Sequence, residues 1–254
     1  MRADLSGGLL GVPVRPTAFG IGRGAIGVAN HTDGAGESGG GGGVLTKVKI
    51  PDPLGLRAKY VQNPEVIECL DNIWAAVQEF NEKDGKDPLD LASLDLSALS
   101  RVEDDKNRRL NLERYIIGLG VKSQDPLIGA RLDRAILTRA NLNGANLDGA
   151  SLNGARLDRA SLIGANLDGA RLNGANLDRA SLNRASLHGA ILNGAILDGV
   201  SLDGARLYIA SLDEASLVGA YVYEDDTKLT GQALKQYLKR KFPSIIDIDS
   251  PRFE

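Results

Sequence analysis

Few side chains in this chain could carry chemistry. Its 254 residues include two histidines and one cysteine. His31 lies in a glycine-rich stretch, and His188 stands where a five-residue pattern elsewhere puts Asn or Asp. Neither has companions at a spacing that would ligate a metal or activate a nucleophile. Cys69 shares a helical run with Trp74 and reads as core rather than as a nucleophile. A lone cysteine also excludes an internal disulfide framework. Gly22, Gly24 and Gly27 match GxGxxG, but no strand precedes them and "VANHTDG" opens no helix. A dinucleotide turn is therefore not expected, and without a following Gly-Lys-Ser/Thr neither is a P-loop. Aspartates are plentiful, but they recur with the pattern and read as structural ladders. The expectation is no enzyme: no catalytic residue, no cofactor and no metal.

What remains is charge at regular spacing. Arg139, Arg159 and Arg179 are twenty apart, and so are Asp158, Asp178 and Asp198. If residues twenty apart stack, these are adjacent columns on one side of a rod. The bland reading, which is favoured, is a self-neutralising surface of ion pairs worth about 0–1 kcal/mol each. The sharper reading is a recognition stripe.

Stacking at that distance needs an element that repeats, and the sequence supplies one. "ANLNGANLDGASLNGARLDRASLIGANLDGARLNGANLDRASL", residues 140–182, repeats Ala-x-Leu-x-x every five. Five residues advance a helix face by about 140°, so no apolar stripe can form. A flat strand would throw successive Leu residues onto opposite faces. Both objections vanish if the chain turns a corner once per unit. Ala and Leu, two apart, then point inward together. The central Leu recurs at 132 and every fifth place to 217, with Val222 next, through Leu132, Leu147, Leu167, Leu187 and Leu207. The small residue runs from Ala130 to Ala220, broken only by Val200. A fixed internal period is the mark of a solenoid.

Units such as "ANLDG", "ASLNG" and "ARLDR" resemble the A(D/N)LXX units of the pentapeptide-repeat family. The resemblance covers about 126–222 and implies a right-handed, four-sided parallel β-helix with twenty residues per coil. At the strand spacing of 4.7–4.9 Å, residues 131–220 would make about 4.5 coils and a rod about 22 Å long.

The predicted architecture is mainly β, with an α-helical N-terminal flank and a C-terminal helical cap. Residues 1–43 read as a flexible Gly-rich arm, 44–125 as the flank, 126–223 as the β-helix and 224–254 as cap and tail. In the flank, Asn63-Pro64-Glu65 is a helix start, and Val66, Ile67, Leu70, Ile73, Trp74, Val77 and Phe80 form one apolar face. A second helix is predicted within 102–120, with Leu112, Tyr115, Ile116 and Leu119 as its face. Between them, Leu89, Leu94 and Leu99 are five apart, with Ala92 and Ser97 in the small-residue places. This reads as a partial coil over 87–101, an unrelated polar loop being nearly as good an account. At the other end, Thr230 to Pro243 carries Leu234, Tyr237, Leu238 and Phe242 at helical spacing.

Aromatics make up only 4% of the chain, as suits a narrow Ala/Leu core. No apolar run is long enough to span a membrane. Asp4 and the short run "LLGVPV" do not make a secretory signal, so a cytoplasmic protein is the default. Two functional classes compete. One is a protein-binding scaffold or assembly module, with the arm as its docking segment and Phe19, Ile21 and Ile26 as apolar anchors. The other is implied by resemblance to the family members that protect type II topoisomerases by imitating DNA with an acidic rod. Residues 131–220 carry nine Arg and nine Asp or Glu, a poor imitation of a polyanion. Partners are expected to be proteins, a large assembly being one form they could take. Direct nucleic-acid binding and membrane insertion are not expected. Dimerisation through the C-terminal helix is left open by Tyr237 and Phe242.

Overall fold

The computed structural model describes residues 52, 54–85, 87–103, 110–245 and 248–254. Within them the chain forms a solenoid of parallel rungs. Arg131 bridges Ser151, Ser151 bridges Arg171, and Arg171 bridges Ile191. Three more such series begin at Ile136, Asn141 and Asn146, each partner again twenty residues on. A coil is therefore four five-residue sides. Backbone bonds tie each side to the next coil: Leu152 N–H donates to Arg171 O at 2.7 Å, and Arg171 N–H donates to Ala150 O at 2.9 Å. Between sides the chain turns, with Ala155 N–H closing on Leu152 O at 3.0 Å.

The corner explains the sequence period. Its second residue holds φ near +60°, as at Gly194 (65°) and Gly199 (63°). L-residues other than glycine are strained there. The core is what the spacing predicts. Leu132, Leu147, Leu167, Leu187 and Leu207 are all buried, and so is the alanine column. Each inward pair is sealed by the coils above and below.

At the N-terminal end, α1 (Leu56–Lys59) and α2 (Pro64–Glu82) precede the first rungs. Val66, Cys69, Leu70, Ile73, Trp74, Val77 and Phe80 of α2 are buried, whereas Ile67, assigned to the same face, is half-buried. Residues 89–96 pair with the solenoid, in a register two residues from the one the sequence suggested. Asp90 bridges Arg131 and Asp95 bridges Ile136, so Leu91 and Leu96 hold the central places and Leu89 and Leu94 the small-residue places. In Leu-x-Leu both side chains point inward, being two apart, and a count of leucines alone cannot separate the two settings. A short 3-10 turn, Ser97–Arg101, follows.

The second helix is shorter than the charge pattern suggested. It is α3, Leu112–Gly118, capped by Asn111, whose side chain accepts from Arg114 N–H. Val102 is extended, and 104–109 lie outside the described residues. Leu112, Tyr115, Ile116 and Leu119 are buried.

At the C-terminal end a hairpin, β1 (Val222–Glu224) with β2 (Thr227–Leu229), leads into α4 (Gly231–Lys241). Leu234 and Leu238 of α4 are buried. The chain then returns to the solenoid. Arg252 bridges Ser216 in parallel, taking the place of a further coil. Leu217 N–H donates to Arg252 O at 2.7 Å, and Arg252 N–H donates to Ala215 O at 2.9 Å. An open rung is thereby paired rather than left as a template for aggregation.

Candidate functional site

The outward residues fall into two kinds. Most Asn, Asp and Ser are occupied in holding coil to coil. A serine before the central Leu donates to the Asn or Asp eighteen residues earlier, after the central Leu of the coil below. Ser151 reaches Asp133 at 2.7 Å, Ser186 reaches Asp168 at 2.6 Å and Ser216 reaches Asp198 at 2.5 Å. Ser161, Ser201 and Ser211 do the same with Asn143, Asn183 and Asn193. On the first side Asp133, Asn153 and Asn173 also form a ladder, each amide donating to the oxygen below at 3.0 and 2.9 Å. These groups are structural, and His188 stands among them with its backbone N–H on Asp168.

The second kind is the set of arginines at corners. Five of them hold positive φ: Arg134, Arg139, Arg159, Arg179 and Arg184, between 54° and 60°. Arg139, Arg159 and Arg179 stack on one edge in successive coils, each N–H donating to the aspartate backbone of the next coil at 2.7–2.9 Å. All three are exposed. The neighbouring aspartates are partly engaged elsewhere: Asp158 accepts from Thr138 at 2.7 Å, and Asp198 accepts from Ser216. Arg179 Nε lies 3.9 Å from Asp178 Oδ1, a long contact, and Arg156 Nε lies 3.9 Å from Asp158 Oδ1. Arg139 and Arg159 have no ion pair among the described residues. The self-neutralising column favoured by the sequence is therefore only partly formed.

Phe19, Ile21 and Ile26 lie outside the described residues. Cys69 is buried, and burial pushes its thiol up to about 12, which suits a core residue. Among the described residues no group of three His, Cys, Asp or Glu could hold a metal ion, and no helix is long and apolar enough to cross a membrane.

Two structural residues were not singled out by the spacing. Glu113, on α3, accepts Asn146 N–H at 3.1 Å. One coil later the equivalent N–H, Asn166, finds the Ala145 carbonyl, so a side chain replaces the missing backbone. Burial pushes the Glu113 carboxyl upward. Arg252 serves as a rung at the other end through its backbone. The signal for Glu113 is its place in a helix that interrupts a coil; Arg252 has none in the repeat.

Comparison with family models matches pentapeptide repeats, in eight copies over residues 127–162 and 160–199. The chain belongs to the pentapeptide-repeat family. A pentapeptide repeat protein of the Arabidopsis thaliana thylakoid lumen is 29% identical over 45% of this chain and 74% of its own, with a TM-score of 0.32. A pentapeptide repeat protein from the cyanobacterium Nostoc is 32% identical over 37% of this chain and 84% of its own, with a TM-score of 0.27. QnrB1, a plasmid-mediated fluoroquinolone resistance protein, is 19% identical over 39% of this chain and 61% of its own, with a TM-score of 0.35. A search of curated proteins finds no match.

Proposed function

We propose that this pentapeptide-repeat protein is a non-enzymatic scaffold or assembly module, a right-handed rod with helical flanks that presents its outer faces to protein partners. The observation that carries the reading is a backbone of constant register whose outward residues change from coil to coil. Solenoids of that kind are commonly binding surfaces. The balanced charge of residues 131–220, nine Arg against nine acids, weighs against imitation of a polyanion or direct binding of nucleic acid. The packing of helix α4 supports a role as a cap. Leu234 and Leu238 are buried, and Phe242 meets Tyr208 edge-on at 5.1 Å. Tyr237 alone of its predicted face stays partly buried against the core.

In this reading the glycine-rich arm, residues 1–43, is a second docking element, with Phe19, Ile21 and Ile26 as its anchors. The test is capture of partners from the native host by the full chain and by a chain lacking 1–43, each also followed by thermal melting. Loss of partner with an unchanged melt is expected. Full retention would move docking to the rod or its caps, and the absence of any reproducible partner for the full chain would overturn the scaffold reading.

A further inference from the structure

The edge formed by Arg139, Arg159 and Arg179 is built at a steric cost. Each sits at the corner position where glycine is free of strain, and each holds φ between 54° and 60°. In the next two coils the same edge reverts to glycine, at Gly199 and Gly219. A Cβ on Gly199 would lie 3.2 Å from Arg179 Cγ, so the Arg179 side chain runs along the edge over the next corner. Three exposed arginines thus stand in file on a rigid backbone, and among the described residues their one approach to a carboxylate is the 3.9 Å contact of Arg179 with Asp178. Arg156 and the 40% exposed Ile196 lie on the adjoining side, two coils apart.

We propose that this edge binds the acidic face of a helical protein segment, which deepens and rests on the scaffold reading by naming the chemistry of one partner. The dimensions favour a helix. Three arginines on successive rungs span about 10 Å at the strand spacing. Carboxylates at i, i+3 or i+4, and i+7 of a helix span about 10.5 Å at 1.5 Å per residue. Side chains on one face of an extended strand, at i, i+2 and i+4, span about 13 Å and fall out of step. Arginine suits the task because its planar fork takes a carboxylate with two parallel bonds. Separate carboxylates on a helix can pair one to one.

The corner geometry gives a clean test. Replacing Arg139, Arg159 and Arg179 together by Gly keeps the backbone conformation and relieves its strain, so the melt should hold or rise. Fluorescence anisotropy would follow three probes at low salt: a glutamate-rich helical peptide, its lysine counterpart, and a single-stranded oligonucleotide of the same charge. The wild-type chain should bind the glutamate peptide in preference to both others, and the triple Gly variant about tenfold more weakly. Added salt should weaken the wild-type interaction. Equal peptide binding by the two proteins, or no peptide binding at all, would overturn this assignment of the edge. Preference for the oligonucleotide would overturn it in favour of nucleic acid. The scaffold reading fails separately, if the full chain captures no host protein.

Discussion

Leu167 and Asn166 are neighbours in sequence with opposite fates. Leu167 is wholly buried between coils. Asn166 faces out, its oxygen accepting from Asp168 N–H at 3.0 Å and its amide meeting Asn146 at 3.3 Å. Leu167→Asp would bury a carboxylate with no partner and should cost several kcal/mol, enough to unfold or aggregate the rod. Asn166→Asp keeps the accepting oxygen and should stay within about 1 kcal/mol of wild type. Thermal melts of the two variants check the inward register directly. Cys69 offers a second test. Its thiol ionises only at about 12 in the folded chain, through burial, against an ordinary value of 9.0. A thiol reagent near pH 8 should leave it untouched until denaturant is added. Because the folded value is the higher, the stability it contributes is complete below the ordinary value and is lost as pH rises through 9 toward 12. Denaturation midpoints compared between Cys69 and Cys69→Ala chains across that range should converge at the alkaline end.

Helices and strands here act as ends for the solenoid, and the ends were only partly legible. From 131 to 220 the inward face and the corners could be read from one inward Leu and one turn per five residues, whereas the four-sided coil came from the resemblance to the family. The first coil was harder. Leu89, Leu91, Leu94 and Leu96 offer two settings of the same period, and only pairing with Arg131 and Ile136 chooses between them. The arginine edge could be found by counting twenties, but its incomplete pairing could not, since hydroxyls such as Thr138 compete for the aspartates. The last rung was not legible at all: Arg252 arrives from beyond α4, outside the repeat. Phe253 is buried beside it, and Ser250 accepts Glu214 N–H at 3.1 Å. Removing residues 250–254 should lower the melting temperature, since burial of one large apolar side chain is worth about 1.5–3 kcal/mol. It should also free Leu217 N–H and Ala215 C=O as an open edge and give concentration-dependent association in light scattering. Arg252→Ala keeps both backbone bonds and should do neither.

For the molecule as a whole, the decisive quantity is the distribution of charge. The net charge of −3 arises outside the repeats, since 131–220 sum to zero. A rod that competes with DNA for a topoisomerase must present a sustained negative field, because the affinity of proteins for duplexes comes largely from release of counterions from phosphates. Here positive guanidiniums project from an edge of the same rod, and many of its Asp and Asn side chains are turned to coil-to-coil bonds with serines. What field remains alternates in sign over a few ångströms and is screened within a Debye length of about 8 Å at physiological salt. The purified chain should therefore neither inhibit gyrase supercoiling nor protect it from a quinolone at roughly micromolar concentration, the range of ordinary weak association. A supercoiling assay with and without the drug decides the matter. Inhibition that survives the triple Gly substitution at Arg139, Arg159 and Arg179 would show that an acidic surface dominates despite the balance, and would replace the scaffold with the mimic.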